Sequence, residues 1–198
     1  LKSKIKNQKS KIIFLSIICF ALLSTGGMSR DLLFQENESI RFAEPALLTS
    51  AGQSAEIQMA SVLAKRAQIT VTLNKMSRPV DLESHHTLIL SLGASLKGLG
   101  AAGLDIEQEM VRVRDLIQAA EEKDVSILML HLGGEARRGQ LSDRLINEFI
   151  PHAGKVIVVA SGNQDGLFTR LCQNNSIPLV EVKRVASALE PLQDCFAY

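Results

Sequence analysis

The chain lacks tryptophan, has one tyrosine and three cysteines in 198 residues, and shows no excess of either charge, with 22 basic against 21 acidic side chains. That balance argues against a nucleic-acid binder of the usual basic kind. It also conceals an asymmetry. Lys2, Lys4, Lys6, Lys9 and Lys11 precede the first acid, and without these five, 17 bases face 21 acids, a net of −4. No apolar run reaches the roughly 18 to 20 residues needed to span a bilayer. Gly-x-x-x-x-Gly-Lys-Ser/Thr is missing, which leaves a nucleoside triphosphatase of that class unsupported, and so is Gly-x-Ser-x-Gly. The composition is otherwise ordinary, 46% hydrophobic, as suits one globular domain.

The five lysines run into an apolar stretch from Ile12 to Leu23 and then into small residues from Ser24 to Gly27. A charged, an apolar and a small-residue segment in that order predict a secretory signal over residues 1–27, removed by cleavage or retained as an anchor. Residues 28–44 read as a tether and 45–198 as a single domain, placing the protein in the periplasm or outside the cell. It would touch the membrane only through the N-terminal segment. About 172 residues beyond the signal suffice for a sizeable core without disulfides or metals.

From Pro45 onward, short apolar runs alternate with segments of helical period. Strands are expected at Ala46–Thr49, Ile69–Leu73, Thr87–Leu92, Val125–Leu132, Lys155–Ala160 and Pro178–Val182. Leu88–Leu90, Ile127–Leu130 and Val156–Val159 are apolar on both faces, as in buried parallel strands. Ile106, Met110, Val113, Ile117 and Ala120 mark one face of a helix that Asp105 caps with Gln108. Ser54 is expected to cap a helix to Ala67, Ser142 one to Ile150, and Asn163 or Asp165 one to Asn174. Pro79 starts a single turn. The fold class is α/β: a doubly wound, mostly parallel sheet of five to six strands, in the order 2-1-3-4-5 with a sixth strand at one edge. That is a three-layer sandwich of flavodoxin-like or Rossmann-like kind.

Ten of the thirteen glycines follow the carboxyl ends of predicted strands, where doubly wound sheets bind ligands. Gly52, Gly98, Gly100, Gly133 and Gly134 would let backbone approach a bound group, and helix starts would add unpaired N–H groups. Gly98-x-Gly100-x-x-Gly103 has dinucleotide-motif spacing, but Gly93–Lys97 separates it from the strand and the next strand ends at His131 and Leu132, not at an acid. No cofactor is therefore expected. Arg137, Arg138 and Lys97 would supply charge, and Ser50, Gln53, Ser54, Glu135, Asn163 and Asp165 polar contacts. The competing expectation is that one arginine pairs with Glu135 or Asp143 and that Ser54 merely caps. His131 and Glu135 are too few for a metal site. Cys172 and Cys195 form either a bridge or, the favoured arrangement, two independent buried thiols.

TSAGQSA (49–55), SLKGLGAAG (95–103), HLGGEARRG (131–139) and GNQDGLF (162–168), in this order, resemble an uncharacterised prokaryotic family of exported domains of unknown function. The resemblance spans about residues 45–185 and implies an exported domain with this loop set, and no activity. The residues themselves support a domain binding a small anionic or polar metabolite at the glycine-rich edge. The alternatives are a hydrolase or transferase using His131 and Glu135 with the two arginines, and an envelope component binding a protein partner.

Overall fold

Alternating apolar side chains divide the central strands between two cores, one on each side of a six-stranded parallel sheet. The computed structural model describes residues 42–197. The expected signal, nearly all of the tether and any strand beginning at Ile40 lie outside the described residues. The strands are β1 (Ala46–Ala51), β2 (Val71–Leu73), β3 (Thr87–Leu92), β4 (Ser126–His131), β5 (Lys155–Val159) and β6 (Leu179–Val182), in the order β2-β1-β3-β4-β5-β6. This is the α/β three-layer fold that the apolar runs predict.

The helices are α1 (Glu56–Arg66), α2 (Leu96–Ala101), α3 (Ile106–Glu122), α4 (Gln140–Phe149), α5 (Leu167–Asn174) and α6 (Leu189–Phe196). On one face Val113 and Leu116 of α3, Phe149 of α4 and Phe168 of α5 bury Leu88, Leu90, Met129 and Val156. On the other, Ile57 and Leu63 of α1 and Leu192 of α6 cover Leu48, Ile89, Leu128 and Ile157. The chain leaves β1 toward β2 across the α1 face and leaves β3 toward β4 across the opposite face. The winding therefore reverses between β1 and β3, the position where such sheets place ligands. Among the described residues no helix is long and apolar enough to cross a membrane.

Local chemistry sets the ends of the elements. Asp105 accepts from Gln108 N at 2.8 Å and Gln108 returns the bond at 3.0 Å, the capping box that the sequence predicts for α3. Gly166, not Asn163 or Asp165, occupies the N-cap of α5, but Asn163 Oδ1 accepts from Phe168 N and Asp165 Oδ1 from Leu167 N, two amides of its first turn. Two other expected caps are corrected. Ala55 occupies the N-cap of α1 with no side-chain bond, leaving Ser54 outside that role. Helix α4 begins at Gln140, so Ser142 lies inside it and accepts instead from Ala94 N at 2.9 Å. Residues 96–101, expected as glycine loop, form α2, which Ser95 caps by accepting from Gly98 N. Cys172 and Cys195 are free thiols buried in opposite cores, an arrangement that separates them by the sheet. Burial pushes the Cys172 thiol up to about 11.

Candidate functional site

At the carboxyl ends of β1 and β3 the backbone closes on itself. Gly93 N donates to Ala51 O, Ser95 N to Gly52 O, and Gln53 forms an antiparallel bridge with Ala94. Gly52 adopts φ +108° and donates to Glu109 Oε1 at 2.8 Å. The same oxygen accepts from Gln53 Nε2 at 3.1 Å, and Gln53 Nε2 also reaches Lys75 O. Glu109 is fully buried and paired with Arg112, which donates onward to the carbonyls of Ser50 and Ser77. Gly52 and Gln53 are thus held by the protein's own groups, and the crevice at the winding reversal is filled.

The loop after β4 is anchored as tightly. His131 is fully buried, with Nδ1 3.0 Å from Leu92 O, Nε2 3.2 Å from Gly134 O, and its ring 5.1 Å from that of Phe168. Both ring nitrogens face main-chain oxygens, so neither is presented to a molecule at the edge. A neutral ring donates to one of these carbonyls, and with both nitrogens turned inward His131 is not the placed acid or base that the hydrolase or transferase alternative expects. Glu135 is exposed and makes no side-chain hydrogen bond among the described residues.

Arg138 donates Nε to Asp143, Nη1 to Gly162 O and Asp165, and Nη2 to Asp165. The hydrogen bonds to Asp165 and Asp143 raise its pKa, and those from Arg138 hold the Asp165 carboxyl well below the usual carboxylate range. Every nitrogen of its fork is engaged, so the expected ligand-binding role of Arg138 gives way to a clamp between the loops after β4 and β5. Asn163 is spent equally, donating to Thr169 and Glu181 while accepting from the amides of Phe168 and Thr169. Lys97 is exposed on α2. Gly98 and Gly100 lie within that helix, and Gly133 and Gly134 stand beside Arg137 and Ser161.

Arg137 differs. Its Nε donates to the buried carboxylate of Glu56, while Nη1 and Nη2 have no acceptor among the described residues. It lines a groove of about 330 Å³ between Ala94–Leu96 and Arg137–Ser142, which Leu96 borders with three quarters of its surface exposed. Among the described residues no three His, Cys, Asp or Glu side chains gather to hold a metal.

The residues that spacing did not single out are Glu56, Glu109 and Arg112. Their signal is present in the helical phase. Glu109 shares the buried stripe of Val113 and Leu116, and Glu56 that of Ala60 and Leu63. A carboxylate on an apolar stripe needs a partner, because a charge removed from water without one is costly.

Burial depresses the pKa of His131 below its ordinary 6.5, outweighing the two carbonyls that favour the charged ring. The unfolded chain therefore takes up this proton at a higher pH than the folded one. The resulting stability is complete above about pH 6.5 and is lost as pH falls. NMR titration of the His131 ring is expected to give a pKa below 6.5, with the thermal midpoint declining from pH 7 toward 5. A ring pKa of 6.5 would abolish that dependence, and one above 6.5 would reverse it.

No curated protein matches the sequence. Among solved structures, a GDSL-like lipase from Bacteroides thetaiotaomicron shares 8% identity, with 75% of this chain and 72% of that chain covered and a TM-score of 0.33. A serine-to-alanine mutant of the esterase AlinE4 shares 10% identity, with 80% of this chain and 84% of that chain covered and a TM-score of 0.30. At these scores neither carries functional weight. The family match is of another order, covering residues 43–196, and by it the chain belongs to DUF6305, a domain of unknown function.

Proposed function

We propose that this is an exported, non-catalytic domain that binds a small molecule through an anionic group in the groove between Ala94–Leu96 and Arg137–Ser142. The observation that carries the reading is the free fork of Arg137. Its guanidinium is already positioned by Glu56 through Nε, and it keeps two nitrogens for a planar acceptor such as a carboxylate or phosphate. Leu96 supplies an apolar border. The catalytic alternative draws no support from His131, whose nitrogens are turned inward.

The test is dye-monitored thermal unfolding of the protein with carboxylates, phosphates, sugars and nucleotides. A ligand at about a hundred times Kd stabilises by roughly 2.7 kcal/mol, a shift of several degrees. Arg137→Lys keeps the ion pair with Glu56 and removes the fork. It is expected to weaken binding about tenfold, since a charge-assisted hydrogen bond contributes roughly 1.5–3 kcal/mol. No shift with any anion would overturn the reading and favour a domain that binds a protein partner of the envelope.

A further inference from the structure

Four buried side-chain polar atoms among the described residues have no hydrogen-bond partner: Ser50 Oγ, Ser54 Oγ, Glu56 Oε2 and Ser91 Oγ. All four belong to one part of the molecule. Ser50 of β1 and Ser91 of β3 are paired in register. Leu48 and Ile89, two residues earlier, lie in the core beneath α1, so the alternation of the strands turns both serines to that face. Ser54 and Glu56 form the entry to α1, which packs over these strands. A Cβ placed on Gly93, just beyond β3, would lie 3.1 Å from Ser54 Oγ and 3.5 Å from Glu56 Oε2. Among the described residues other buried polar side chains are well supplied, such as Glu109 with its ring of donors and Asn163 with four bonds. Each unpaired group costs stability, and their concentration at one place calls for a cause.

The unmet demand has a definite chemistry. Glu56 Oε2 only accepts, and a serine hydroxyl accepts as readily as it donates, so the cluster suits a group rich in N–H donors. Directly in front, Arg137 crosses Gly133 to reach Glu56 Oε1 and leaves its outer nitrogens on the groove. A simple anion drawn to Arg137 would leave two negative charges against one positive charge beside a buried carboxylate. A molecule with both an acid and an ammonium group restores neutrality, its acid facing Arg137 and its ammonium facing Glu56 Oε2 and Ser54 Oγ. We infer that the ligand is a zwitterionic amino acid or a close analogue, bound across the Glu56–Arg137 pair with its amino group at Glu56 and Ser54. Because Glu56 and Ser54 are almost wholly buried, admitting the amino group exchanges the Arg137 Nε hydrogen bond to Glu56 for one from the ammonium, and Arg137 shifts toward the groove with its outer nitrogens on the acid.

This inference rests on reading the groove as a ligand site, and the probes separate the two. Thermal unfolding and calorimetry of the full chain would use glycine, β-alanine and γ-aminobutyrate, each with both groups, at millimolar concentration. Acetate and propionate supply the acid alone, ethylamine the amine alone, and glycolate a hydroxyl in place of the amine. The expected result is a shift of several degrees with at least one amino acid and at least tenfold weaker binding of acetate, ethylamine and glycolate. Ser54→Ala removes a hydroxyl with no partner. It is expected to raise the midpoint of the free protein by a few degrees while weakening amino-acid binding about tenfold. If acetate or propionate binds as tightly as the amino acids, the zwitterion inference falls and the anion groove stands. If no acid-bearing compound binds, both fall. A lowered midpoint in Ser54→Ala, or unchanged amino-acid affinity, would also overturn the inference.

Discussion

Glu109→Ala is expected to cost about 3–5 kcal/mol, the range for removing one partner of a buried ion pair. The substitution strips more than one bond. Glu109 Oε1 accepts from Gly52 N, Gln53 Nε2 and Arg112 Nη2, and Oε2 accepts from Arg112 Nε. Its loss leaves the Arg112 guanidinium, whose side chain is only 10% exposed, without a counter-charge. It also frees the Gly52 N–H in a buried position. Against a usual total of about 5–15 kcal/mol, the loss is large enough to unfold much of the population at moderate temperature. Urea denaturation monitored by circular dichroism would measure it as a lower midpoint with an unchanged slope. Glu109→Gln retains an acceptor for Gly52 N and should fall between the parent and the alanine variant. Glu109→Leu with Arg112→Met should recover part of the loss, because neither member of the pair is then stranded. A cost below about 1 kcal/mol for Glu109→Ala would mean that the network contributes nothing net to holding the edge together.

What the sequence made legible follows from which interactions are local. Strands β3 and β5 announce themselves because a parallel strand buried on both faces is apolar throughout, as Leu88–Leu90 and Val156–Val159 are. The order of the sheet follows from right-handed crossovers once the strands are drawn. Helix α2 was not legible, because Gly98 and Gly100 have low helix propensity and only the Ser95 cap and the buried Leu99 hold the turn. In the candidate site the adjacency of Arg137 and Arg138 can be read, but their different fates cannot. Those are decided by Glu56, 81 residues before Arg137, and by Asp165, 27 residues after Arg138. The glycine cluster was visible too, and its first meaning proved to be packing of loop on loop.

Gly52→Ala and Gly98→Ala test that meaning. At Gly52 a Cβ would stand 2.4 Å from Gly93 O and 2.7 Å from Leu145 Cδ1, on a residue whose φ of +108° side chains rarely adopt. Steric displacement of a backbone carbonyl and conformational strain act together there, and each costs about 1–3 kcal/mol. The expected loss is therefore roughly 3 kcal/mol or more. Gly98 lies inside α2, where alanine ordinarily adds about 0.5–1 kcal/mol of stability over glycine. Its Cβ would fall 1.9 Å from Gln53 O, so the sign should reverse, with a loss of about 1–3 kcal/mol. Gly100, two residues along the same helix, has nothing within 4 Å of that position and no positive φ. Gly100→Ala should therefore stabilise by about 0.5–1 kcal/mol. Urea denaturation of the three variants separates a glycine kept for contact between β1 and β3 loops from one that is merely tolerated. Were Gly52→Ala and Gly98→Ala as stable as the parent, the two loops would part readily, and the reversal of winding would be an open crevice after all.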